Sequence, residues 1–170
     1  MSEVGGPLRT SRGRLIAAVL AVLVTGLAVW AAILSLDVRA KESKAERQAA
    51  IRQAARQGAV NLVSIDYRNA QQDVDRVLSG TTGEARDQWA QLSKQFVDQI
   101  VRAQATSIVQ SDPKVGIVAM DDDSAEVIVS VSSVVSSPKV RQGAPRNFRF
   151  SMNLAHTDGR WLVSKLGLVP

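Results

Sequence analysis

The chain has 170 residues, 45% of them hydrophobic, and a formal net charge of +5. Its basic charge is spread thinly: residues 1–14 set Arg9, Arg12 and Arg14 against Glu3, and no basic helical stripe with interleaved aromatics follows, so nucleic acid is not an expected partner. The absence of cysteine excludes a disulfide framework, an iron–sulfur cluster and a cysteine-ligated zinc site.

The short basic tail at 1–14 leads into residues 15–36, LIAAVLAVLVTGLAVWAAILSL, which carry no charge. As a helix this run reaches about 33 Å, enough for a hydrocarbon core of about 30 Å. The apolar region of a cleaved signal peptide is normally shorter, about 7–15 residues. Residues 15–36 therefore read as a single transmembrane helix, with Trp30 as an interfacial anchor. The three arginines of the tail favour a cytoplasmic N-terminus by the positive-inside rule. Arg39, Lys41, Lys44 and Arg47 on the other flank leave a raw count undecided, but they lead into a long domain, whose charges weigh less. The C-terminal domain is then extracytoplasmic, and the bilayer is itself an expected partner.

Residues 37–60 read as a helical stalk, rich in charge and alanine and with few large side chains to bury early on. A narrow stripe of Ile51, Ala55, Gly58, Leu62 and Ile65 recurs at spacings of four and three. Residues 61–170 then form the expected folded domain. A second helix is predicted from Asp66 to Leu78, with Ala70, Val74, Val77 and Leu78 on one face. Ser79-Gly80-Thr81-Thr82-Gly83 interrupts it, and Thr81 with Glu84 has the spacing of a capping box for the next helix. There Ala85, Trp89, Leu92, Phe96, Ile100 and Ala103 keep a helical period.

After Ala105 the period becomes that of strands. Thr106–Gln110, Val115–Met120 and the valine-rich Ala125–Val135 are the first three, with a turn at Asp121-Asp122-Asp123-Ser124. Ser136 to Pro145 reads as a loop. Phe148, Phe150, Met152 and Leu154 then alternate with polar residues along Asn147–His156, a half-buried antiparallel strand. Asp158-Gly159 is a hairpin signal, and Trp161–Leu168 returns as the last strand. Helices followed by consecutive hairpin strands give an α+β class, with helices packed on one face of a curved antiparallel sheet.

Few residues suggest chemistry. Asp121, Asp122 and Asp123 lack the alternate spacing of a calcium loop and read as a solvated turn. His156, the single histidine, cannot build a multi-histidine metal site and sits beside the hairpin turn. Asp66 and Tyr67 suggest proton transfer, but adjacent helical residues diverge by about 100° and would not converge on one substrate. Catalytic, cofactor-binding and metal-binding residues are accordingly assigned to none, and the chain is not expected to be an enzyme.

Three stretches together resemble a family: LVSIDYRNAQQDVDRVLSGTTGEARDQW (62–89), DDDSAEVIVSVSSVV (121–135) and DGRWLVSKLGLV (158–169). Behind a basic tail and a single span, this pattern resembles the Mce-associated membrane proteins of mycobacteria and related actinobacteria. The resemblance implies an accessory or assembly subunit of an Mce transporter of lipids or sterols, with transporter subunits or the permease as partners. It implies an outer domain like the cone of nuclear transport factor 2, and no catalytic residue carries over. One departure is Ala85-Arg86, where the family often has an aromatic residue, so the packing under that loop is expected to differ. Two further readings are an independent lipid-binding module and a scaffold like those of type IV secretion. The first predicts a cavity lined by Trp89, Phe96, Phe148 and Phe150; a filled core is the favoured reading of those four aromatics. An isomerase-type enzyme would instead need an open pocket around Tyr67 or His156.

Overall fold

A computed structural model describes residues 43–169. The basic tail at 1–14, the apolar segment at 15–36 and the start of the stalk lie outside them. Among the described residues no helix is long and apolar enough to cross a membrane.

Residues 43–63 are helical (α1). Ile51, Ala55 and Ala59, one turn apart, are fully buried, and Val63 is nearly so. Alanine on the inner face lets a backbone approach closely, and at Gly58 a side-chain carbon would meet Val163 Cγ2 at 3.1 Å. Residues 51–60, the later part of the expected stalk, thus supply core side chains, among them Ile51 and Ala55 of the apolar stripe. The compact unit of which they are part starts at Arg47.

Strand β1 (Ile65–Asp66), helix α2 (Ala70–Ser79) and helix α3 (Gly83–Ala103) follow. The sequence placed Asp66 in the second helix, but Asp66 pairs with Thr106 as a strand residue. Its backbone N–H donates to Asp73 Oδ2 at 2.8 Å, so a carboxylate from α2 takes the donor that a helix would have used. The expected capping box is also absent. Thr82, not Thr81, is the N-cap residue of α3, and no side chain caps it. Thr81 is buried against β6, where it forms a bridge with Val163, while its hydroxyl donates to the Leu78 carbonyl at 3.1 Å.

The sheet comprises β1, β2 (Thr106–Val109), β3 (Lys114–Met120), β4 (Ser124–Ser137), β5 (Val140–Thr157) and β6 (Arg160–Leu168). Its order is β1-β2-β4-β5-β6, with β3 also paired to β4, and every pairing is antiparallel. Residues 136–145, expected as a loop, lie mostly in the β4–β5 hairpin, whose ladder runs out to Ser137 and Val140. Pro145 and Gly143 misled the reading. Pro145 stands opposite Val134 within the ladder, and Gly143 takes φ +76°, a left-handed conformation that glycine adopts without a Cβ clash. The β5–β6 turn matches its signal: Asp158 and Gly159 both have positive φ (51° and 74°), as a tight hairpin requires.

Register shifts between Ile117 and Ala119, Val135 and Ser137, and Asn153 and Leu154 curve the sheet. Its concave face carries Val127, Val129 and Val131 of β4 with Phe150, Met152 and Leu154 of β5, all buried. These side chains pack with the inner face of α1 as one core. Burying each contributes about 1.5–3 kcal/mol. The architecture is α+β, with helices on a curved antiparallel sheet.

Candidate apolar ligand slot

Helix α3 leans on α2 and β6, and Ala85 alone of its side chains is fully buried. An aromatic residue there would have no room, which accounts for the small residue at this point. Beyond Ala85 the apolar face of α3 stands off from the sheet: Trp89, Phe96 and Ile100 are half-buried and Leu92 is 56% exposed. The gap is a slot of about 330 Å³. Its α3 wall is Trp89, Phe96 and Ile100, and its sheet wall includes Phe148 and Phe150. Leu62 and Val63 of α1 also line it, as does Leu168, which is 73% exposed.

The four aromatics expected in a filled core line a cavity, although Phe150 is also a buried member of the core and Phe148 packs against it. The reason is geometric. Trp89 and Phe96 pack edge to face on each other at 5.4 Å, and Phe148 stacks on Phe150 at 5.9 Å. Each pair satisfies itself within its own element, leaving space between them. No residue lining the slot is charged. The Ser107 hydroxyl, one of its few polar groups, donates to Ser133 Oγ at 3.2 Å. Such a lining suits hydrocarbon.

The other candidate residues are dispersed. Asp66 and Tyr67 sit in and just after β1. The Arg68 guanidinium grips the Asp66 carboxylate (Nη2–Oδ2 2.6 Å, Nε–Oδ1 3.0 Å) and holds its carboxyl below the ordinary range. Tyr67 lines a separate, polar depression with Gln104 and Arg141. His156 is exposed at the far end of β5, its ring 5.1 Å from that of Trp161. Asp121, Asp122 and Asp123 form the β3–β4 turn, in which the Asp121 N–H donates to the Ser124 carbonyl and Asp122 pairs with Arg47 at 2.7 Å. Among the described residues no group of three His, Cys, Asp or Glu side chains could hold a metal.

Sequence reasoning missed Asp73, which is buried yet satisfied by the Asp66 N–H and by Arg76 Nη2 at 2.7 Å. It also missed Leu62, Ile65, Leu166 and Leu168 as slot residues. Their apolar character was visible; that they face the α3 aromatics was not.

Among solved structures, the domain is similar to the periplasmic domain of DotI (TM-score 0.56, 15% identity, 72% of this chain and 94% of that one). It is similar to an IcmL-like type IV secretion system protein of Legionella pneumophila (TM-score 0.54, 15% identity, 73% and 91%). A third likeness is to an Ntf2-like protein involved in plasmid conjugation (TM-score 0.51, 17% identity, 74% and 49%). At such identities the likeness concerns the fold, which is that of nuclear transport factor 2-like domains. In sequence the chain is 30% identical over 125 residues to the uncharacterized protein Rv1363c of Mycobacterium tuberculosis. That match covers 74% of this chain and 48% of the relative, so the chain spans about half the relative's length. The family model described as uncharacterized protein Rv1363c/MT1408-like matches residues 13–170, and the chain belongs to this family.

Proposed function

We propose that the chain is a non-catalytic accessory subunit of an Mce-type lipid or sterol transport system, whose outer domain takes the apolar part of a lipid into the slot. Residues 15–36 anchor it in the cell membrane, and the domain stands outside the cytoplasm. The observation that carries the ligand reading is the uncharged slot of about 330 Å³ between α3 and the sheet. That volume lies at the small end of ligand pockets, about 300–1,000 Å³. A lining without a titratable side chain supplies neither a general acid nor a base, which supports a binding role over a catalytic one. The transporter assignment is supported by the sequence resemblance at 62–89, 121–135 and 158–169. A second reading, a membrane scaffold of the type IV secretion kind, is favoured by the fold shared with the IcmL-like protein.

The test is a gentle-detergent pull-down of tagged full-length protein from its native membrane, with proteins and bound lipid both identified by mass spectrometry. Mce subunits or the permease, recovered together with lipid, are the expected result. Recovery of secretion components would move the assignment to the scaffold. Lipid recovered without partners would leave an independent binding module.

A further inference from the structure

The slot does not end in bulk solvent on every side. Beside it lies the second depression, also of about 330 Å³, lined by polar groups including Tyr67, Gln104, Ser136 and Arg141. The two share Thr106 of β2. They also meet along the chain at two further points: Ala105 lines the slot and Gln104 the depression, and Val135 lines the slot and Ser136 the depression. Thr106 is thus the one lining residue common to the apolar slot and the polar depression.

The polar compartment has a charge to offer. Arg141 forms no ion pair among the described residues. The nearest acidic group in sequence to Tyr67, Asp66, is already engaged by Arg68 at 2.6 Å. The Tyr67 and Ser136 hydroxyls and the Gln104 amide add hydrogen-bond donors around a guanidinium that has no ion pair among the described residues, a set that suits an anion. Gln104 is fixed in the left-handed region (φ 48°), with its N–H bonded to the Val101 carbonyl at 3.1 Å, so the chain turns sharply at the junction.

We propose that slot and depression are one bipartite site for a single-chain amphiphile with an anionic head. The hydrocarbon chain lies between α3 and the sheet, and the head group sits against Arg141. One slot of this volume favours one chain over two. This deepens the proposed function and rests on its reading of the slot as a ligand site.

The test uses the full-length chain in phosphatidylcholine nanodiscs, photolabelled with a diazirine-bearing fatty acid or with the fatty alcohol of the same chain. Labelled peptides are mapped by mass spectrometry. The acid is expected to label peptides of α3 and β5 at roughly tenfold lower concentration than the alcohol, the size of one charge-assisted contact. Arg141→Gln should remove that advantage without altering labelling by the alcohol, and Arg141→Lys should retain most of it. Arg141 is exposed, so neither variant threatens the fold. Equal labelling of the slot by acid and alcohol, or indifference to Arg141→Gln, would overturn the anionic head while leaving the slot reading intact. Labelling of the slot by neither probe would overturn both.

Discussion

Phe148 and Phe150, two positions apart on one face of β5, lie 5.9 Å apart with their rings within 6° of parallel. Across the slot Trp89 and Phe96 meet nearly at right angles. Such pairs contribute about 0.5–1.5 kcal/mol beyond the area they bury. The aromatic side chains gain this within each wall and do not interdigitate across the gap, so the slot is preformed by contacts that do not depend on a ligand.

Phe148 is only half-buried, so truncating it removes less than a core aromatic would. Phe148→Ala is expected to cost about 1–2 kcal/mol of folding stability, below the ~3–5 kcal/mol typical of Phe→Ala in a core. Met152→Ala, at a fully buried neighbour, should cost about 2–5 kcal/mol. Urea denaturation of both variants checks the order. Equal losses would mean that Phe148 is packed as tightly as the core.

Ser133 is buried among valines of β4, and its hydroxyl is partnered by Ser107. Ser107→Ala leaves that hydroxyl unpaired and should destabilise by about 1–3 kcal/mol. The double variant Ser107→Ala/Ser133→Ala removes both polar groups and should recover most of the loss. A double-mutant cycle measured by thermal melting decides the point; additive losses would show that the pair does not interact.

Asp73 ties α2 to β1 through the Asp66 N–H and holds Arg76 at its other oxygen. Asp73→Ala is expected to cost about 2–3 kcal/mol, since bonds to a charged acceptor are stronger than neutral ones. Hydrogen exchange gives the local signature: the Asp66 amide should lose protection first. Exchange unchanged at Asp66 would rule out this tether.

The Arg68 guanidinium, hydrogen-bonded to Asp66, holds that carboxyl below its ordinary value of about 3.9 and raises its own pKa in turn. A carboxyl depressed by folding stabilises above its unfolded pKa. That contribution fades as pH falls from about 4 through the folded pKa, where the unfolded chain binds the proton more readily. Arg68→Gln should move the Asp66 titration, followed by carboxyl-carbon NMR, up towards the ordinary value. The acid limb of stability should shift to higher pH with it. Because the pair is solvent-exposed, the effect on stability at neutral pH should be small.

The sequence by itself determined much of this protein. Alternation along 147–156 identified a half-buried strand, the helical period from Ala85 to Ala103 identified α3, and Asp158-Gly159 identified the last hairpin. These are local signals, set by where one element's side chains point. The membrane reading of 15–36 rests on length and lack of charge alone, and that run lies outside the described residues. Tertiary structure decided the rest. Ala59 says nothing of burial until a sheet is laid against it, and Asp66 became a strand residue because Thr106, distant in sequence, pairs with it and Asp73 of α2 takes its N–H. The same holds for the slot. Amphipathic α3 and the apolar face of β5 were both legible, but an apolar face is equally compatible with closure onto a core and with standing apart from one. Where α2 and β6 hold α3 fixes that separation, and the sharing of Thr106 between the slot and the polar depression exists only once β2, β4 and β5 have paired.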